Sequence, residues 1–64
     1  MVKINGEFFD IAGVSIEKHL LDAGYNTKRV AVELNGNILK KSQYAATYLK
    51  DDDCIEIVSF VGGG

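Results

Sequence analysis

His19, Cys54, the run Asp51-Asp52-Asp53, the tyrosines Tyr25, Tyr44 and Tyr48, and the closing Gly62-Gly63-Gly64 are the places where this chain could do chemistry. A catalytic constellation needs a nucleophile, a base and a stabilising group within reach of one another. His19 is the only histidine, and its neighbours put it mid-helix, between a polar and an apolar face, where a packing role is expected. Cys54 opens an apolar strand and reads as a small residue on a sheet face, reactive only as far as any accessible thiol is. One cysteine cannot close an internal disulfide, and one cysteine with one histidine cannot complete a four-ligand zinc site. Calcium loops need spaced oxygen ligands and a distal carboxylate, so three adjacent aspartates read as a solvated turn. The tyrosines read as packing residues. No side-chain set qualifies as an active site, and no bound metal or cofactor is expected.

The main chain is different. A frayed end gives no reason for three consecutive glycines directly after an apolar strand. A functional end does, because glycine has no Cβ and continues the strand as a thin, bendable thread. Val61 to Gly64 would reach about 13 Å when extended. Such a thread could enter a narrow channel in a partner and present the α-carboxylate of Gly64. That carboxylate is ionised and unhindered, and could attack the α-phosphate of ATP within the partner enzyme.

The elements that must carry this thread follow from periodicity. Val2 and Ile4 alternate with Lys3 and Asn5, and Asn5-Gly6 leads into Glu7–Ile11. Asn-Gly between two such runs predicts a hairpin, because a type I′ turn needs positive φ at both central residues. Phe9 and Ile11 should face the core, Phe8 and Asp10 the other side. Ser15 is placed to cap a helix of about ten residues, with Ile16, Leu20, Leu21 and Ala23 on its apolar side and Gly24 closing it. Arg29–Leu34 reads as a strand with Val30, Val32 and Leu34 on one face. Asn35-Gly36 turns the chain into a short strand at 37–39. Residues 40–50 lack clear periodicity, and suggest a short helical turn and a loop that tucks Tyr44, Tyr48 and Leu49 under the sheet. Cys54–Phe60 is the strongest strand, with Ile55 and Ile57 facing one way and Cys54, Glu56, Val58 and Phe60 the other.

The order is strand, strand, helix, strand, short strand, loop, strand. With the first and last strands side by side and parallel, it gives an α+β fold, a mixed sheet of four to five strands packed on one main helix. This is the β-grasp architecture, as in ubiquitin. It divides the chain into a domain at 1–61 and a flexible Gly-Gly-Gly tail at 62–64.

Length and charge narrow the options further. A chain of 64 residues is a single small domain, which buries only about 60% of its unfolded surface and has little room for a deep cleft. Seven basic against nine acidic residues give a net charge of -2, with no basic stripe for nucleic acid. There is no apolar run of the roughly 18 residues a membrane span needs, nor a signal-peptide core behind Met1. A cytoplasmic protein without membrane or nucleic-acid partners is expected.

With these residues in view, the chain resembles the ThiS family, the ubiquitin-like sulfur carriers of thiamin biosynthesis. The resemblance rests on Val2-Lys3-Ile4-Asn5-Gly6-Glu7, on Val30-Ala31-Val32-Glu33-Leu34-Asn35-Gly36, on Ser42 and Tyr44, and above all on the ending from Asp53 to Gly64. It departs from the family's common pattern at Lys40-Lys41-Ser42 (often Pro-Arg-Ser), at Tyr44 (Trp) and at Asp52 (Gly). The resemblance implies that a ThiF-like adenylyltransferase would adenylate Gly64 with MgATP. A persulfide sulfur drawn from cysteine by a desulfurase would displace AMP and leave a thiocarboxylate. A ThiG-like thiazole synthase would then take the sulfur. The carrier would supply no catalytic side chain, so it would be a co-substrate and not an enzyme. Gly62 and Gly63 would give clearance.

Val58, Phe60 and Val61 are candidates for docking partners, since two apolar residues on the outer face near the tail would make a patch, unless the 40–50 loop covers them. Glu33 and Glu56 could add charge that steers encounter. Rival expectations are a carrier for another pathway, as in the small subunit of molybdopterin synthase, a β-grasp interaction module without tail chemistry, and a ubiquitin-like modifier joined to lysines. The absence of proline and the three final glycines favour the thiamin carrier over the molybdopterin one.

Overall fold

The computed structural model describes residues 1–60. Strands β1 (Val2–Ile4) and β2 (Glu7–Phe9) form an antiparallel hairpin. Its turn has positive φ at both Asn5 (50°) and Gly6 (84°), as a type I′ turn demands. The strand expected to reach Ile11 stops at Phe9, although Ile11 still packs partly against the core. Gly13, with φ of 93°, redirects the chain toward helix α1 (Ile16–Asp22).

The helix begins as its sequence requires. The Ser15 hydroxyl accepts from the Lys18 N–H at 3.1 Å, and Ser15 keeps an extended backbone as a cap should. It ends in a Schellman motif, with Gly24 N–H donating to Leu21 O (3.1 Å), Tyr25 N–H to Leu20 O (2.9 Å) and Gly24 in the left-handed region. The helix has seven residues, fewer than the ten expected. Its inner face also corrects the sequence reading, because Ile16 and Leu20 are buried but Leu21 is 60% exposed and Ala23 is exposed. At 3.6 residues per turn, Leu21 points well away from the Ile16–Leu20 line, and so short a helix presents only that line to the sheet.

A 3-10 turn, Thr27–Arg29, capped by the Asn26 side chain, leads into β3 (Val30–Leu34), so this strand starts one residue later than its periodicity suggested. Asn35-Gly36 makes a second turn with both φ positive (51° and 87°) into β4 (Asn37–Leu39). A second 3-10 turn, Lys41–Gln43, and a loop follow, and β5 (Cys54–Ser59) closes the chain described. The strand order is β2-β1-β5-β3-β4, with β1 and β5 parallel and every other pair antiparallel. A mixed five-stranded sheet gripping one helix is the β-grasp fold.

The core is one cluster of Val2, Ile4, Ile16, Leu20, Val30, Val32, Tyr44, Leu49, Ile55 and Ile57. The 44–49 loop seals the end of the helix. Glu17 N–H donates to Tyr44 O, Ile16 N–H to Thr47 O and Leu49 N–H to Val14 O. An isolated bridge pairs Ser15 with Tyr48. That extended stretch corrects one expectation. Alternation sends Leu49 inward and leaves Tyr48 58% exposed, so Tyr44 alone of the two is tucked in. No helix among the described residues is long and apolar enough to cross a membrane.

Candidate docking face and carboxyl-terminal strand

The strand that runs toward the carboxyl end sits at the centre of the sheet. β5 lies between β1 and β3, and Phe60 N–H donates to Arg29 O at 2.7 Å, which extends the β3 pairing past the strand's end. The alternation read from Cys54–Phe60 holds along this strand. Ile55 and Ile57 are buried, while Val58 and Phe60 are 55% and 57% exposed on the opposite face. The 40–50 loop packs against the helix N-terminus on the core side and leaves both uncovered.

Register assembles the rest of that open face. Val58 stands opposite Ala31. Glu56 stands opposite Glu33, which in turn stands opposite Ile38, 70% exposed. On the other flank Cys54 is beside Lys3 and Lys3 is opposite Phe8, 66% exposed, with the Lys3 ammonium 5.8 Å from the Phe8 ring centroid. The face is therefore an apolar surface interrupted by two facing carboxylates and one lysine. Like charges directly opposite each other disfavour the pairing, and neither glutamate forms an ion pair among the described residues. Phe8 and Ile38 escaped the sequence reading as parts of this face, because only the strand order brings them alongside β5.

The other candidates fall where packing puts them. His19 is half-buried with its ring edge-on to Phe9, centroids 5.8 Å apart, and burial lowers its pKa against the opposing pull of Asp22. Burial also raises the pKa of Tyr44, whose side chain fills the core. Cys54 is exposed and free. The acidic run is structural as well as solvated. Asp51 accepts from the Met1 ammonium at 2.7 Å, and Asp53 accepts from Lys50 N–H and from the Asn35 side chain. Asp52 has φ of 72°, a left-handed conformation that suits the glycine the resemblance expects there.

Both Asn-Gly turns tie themselves to β5, which no spacing rule announced. Asn5 Nδ2 donates to Ile57 O (3.1 Å) while Ile57 N–H donates to Asn5 Oδ1 (2.7 Å). Cys54 N–H donates to Asn35 Oδ1 (2.8 Å), and Asn35 N–H donates to Cys54 O (2.8 Å). The tail residues Gly62, Gly63 and Gly64, together with Val61, lie outside the described residues.

A family model described as the ThiS family matches residues 2–64. The chain belongs to the ThiS family. A solved ThiS-family relative, the crystal structure of the thiamine biosynthesis protein (ThiS) from Geobacter metallireducens, superposes with a TM-score of 0.77 at 31% identity, covering 98% of this chain and 97% of the other. The sulfur carrier protein ThiS of Bacillus subtilis is 44% identical over 50 residues, which are 78% of this chain and 76% of that one. A thiazole synthase from Magnetococcus marinus is 39% identical over 64 residues, and this chain spans only 20% of its length. ThiS-type sequence therefore occurs both as a small protein and as a segment of a longer one.

Proposed function

We propose that this chain is a sulfur carrier of thiamin biosynthesis and that the carboxylate of Gly64 is its reacting group. The observation that carries this reading is the extent of the family match, which runs through the final glycines to residue 64. The names of the relatives point the same way, one a sulfur carrier and one a thiazole synthase.

The chemistry needs nothing from the domain's side chains. A Gly64 carboxylate oxygen attacks the α-phosphorus of MgATP inside a ThiF-like adenylyltransferase, and pyrophosphate leaves. The terminal sulfur of a persulfide, charged by a cysteine desulfurase, attacks the activated carbonyl, and AMP leaves. A thiol then cleaves the S–S bond and frees the thiocarboxylate, which a ThiG-like thiazole synthase consumes. Gly62 and Gly63 serve by having no side chain to obstruct a narrow channel. The open face around Val58 and Phe60 is the docking surface, and the Glu33–Glu56 pair favours a partner that brings cationic groups to it. In this reading the chain is a co-substrate.

Incubation with adenylyltransferase, MgATP and a persulfide donor, followed by intact mass measurement, tests the proposal. The expected result is the mass gain of one oxygen replaced by sulfur, lost when Gly64 is deleted. Failure to gain that mass sinks it. Conjugates to lysines of other proteins would instead mark a modifier. A thiocarboxylate that supports molybdopterin formation and not thiazole formation would assign it to the other sulfur pathway.

A further inference from the structure

Both Asn-Gly turns hold their side-chain amides against β5, and Asn-Gly is also the sequence pair most open to intramolecular deamidation. The glycine nitrogen attacks the asparagine Cγ, the amide nitrogen leaves as ammonia, and water opens the resulting succinimide to aspartate or isoaspartate. Nothing is oxidised or reduced, and solvent water is the only co-reactant. Glycine leaves the attacking nitrogen unshielded because it has no Cβ. In a folded chain the step has a further requirement. The amide must release its partners before Cγ can swing within reach of that nitrogen.

The two turns differ in what must be released. Both bonds of the Asn5 amide go to the main chain of Ile57, a residue only 7% exposed in the central strand. Freeing Asn5 means moving β5 itself. The Asn35 amide is held at one end by Cys54 N–H, the first residue of β5, and at the other by Asp53 Oδ1 at 3.0 Å. Asp53 is a partly exposed side chain at the end of the 50–52 turn, and its other carboxylate oxygen accepts only from Lys50 N–H within that exposed turn (2.9 Å). Freeing the Asn35 amide takes rotation of Asp53 and local opening at the first residue of β5, next to the exposed turn, while the Ile57 stretch of the strand stays in place. Strand ends and turns open at lower free energy than central strands.

We propose that Asn35-Gly36 is a modification site of the folded protein, converted to aspartate or isoaspartate well ahead of Asn5-Gly6. The product would not be silent. The donor facing Asp53 becomes a carboxylate oxygen, so two like charges meet where a hydrogen bond stood, beside Asp51 and Asp52. Isoaspartate also adds a methylene to the two-residue connection that sets the β3–β4 register.

The test is to age the folded full chain in mildly alkaline buffer and follow, by peptide mapping, the mass gain of an NH2-to-OH exchange at each turn. The same chain in urea supplies the intrinsic rates. After normalisation to urea, Asn35 should convert several-fold faster than Asn5 in the folded protein. Asp53→Ala should speed Asn35 further and leave Asn5 unchanged. Equal normalised rates, or a faster Asn5, would overturn the proposal. If Asp53→Ala does not fold, the rate ratio in the unaltered protein still decides.

Discussion

The side chain of Asn5 continues the β1 ladder after the strand has turned away. Its amide pairs with both the N–H and the C=O of Ile57, at 2.7 and 3.1 Å, two residues beyond the last β1–β5 backbone partners, Ile4 and Ile55. One residue thus supplies the left-handed conformation of the turn and the lateral support of the central strand. Asn5→Gly keeps the positive φ and removes only the amide. It should lower stability by about 1–2 kcal/mol, with much faster hydrogen exchange at Ile57, measured by urea unfolding and NMR. Unchanged exchange at Ile57 would show the clamp to be idle.

The pKa of His19 gives the fold a pH dependence with a definite sign. Its folded value lies below the ordinary 6.5, so the unfolded chain binds this proton more readily than the native one. The contribution is fully present above pH 6.5 and is lost as the pH falls from there through the folded value. Urea midpoints should fall across that window, and His19→Gln should flatten the decline attributable to this group. Asp22→Asn removes the opposing attraction and should steepen it.

Asp52 stands in a conformation that side chains rarely adopt. A left-handed backbone costs a typical residue about 1–2 kcal/mol, while glycine adds about 0.5–1 kcal/mol of unfolded-state entropy. Asp52→Gly should therefore stabilise the domain by about 0.5 kcal/mol, seen as a small rise in the urea midpoint. A fall would mean that the carboxylate has a stabilising role of its own.

Leu20 is fully buried on the one helical line that faces the sheet. Leu20→Ala should cost about 2–5 kcal/mol, a loss comparable to the whole stability of a domain this small. Circular dichroism should show it largely unfolded at ordinary temperature. Leu21→Ala, on the exposed side, should change stability by no more than about 0.5 kcal/mol.

Val58→Ser and Phe60→Ser should leave folding nearly untouched, since both side chains already meet solvent. If the open face docks the adenylyltransferase, each should raise KM for the carrier several-fold with kcat retained. Loss of kcat at unchanged KM would move the role of these residues from docking to chemistry.

Much of this protein was legible as one-dimensional pattern. Periodicity placed every strand and the helix, because side-chain direction alternates in a strand and repeats every 3.6 residues in a helix. The Asn-Gly pairs announced both hairpin turns, and Ser15 and Gly24 announced the helix ends. Element ends were less legible. The helix is shorter than its apolar residues implied, and Tyr48 turned outward, because tertiary packing and not local propensity decides which residues the core accepts.

What only the tertiary structure decided is what comes from different parts of the chain. Glu33 meets Glu56, Phe8 and Ile38 join the face of Val58, and two turn asparagines clamp one strand. Each relationship depends on the order β2-β1-β5-β3-β4 and on register, which are set by burying one common core. Local sequence determines the conformation of each segment, but the free energy that selects which segments become neighbours belongs to the assembled core as a whole.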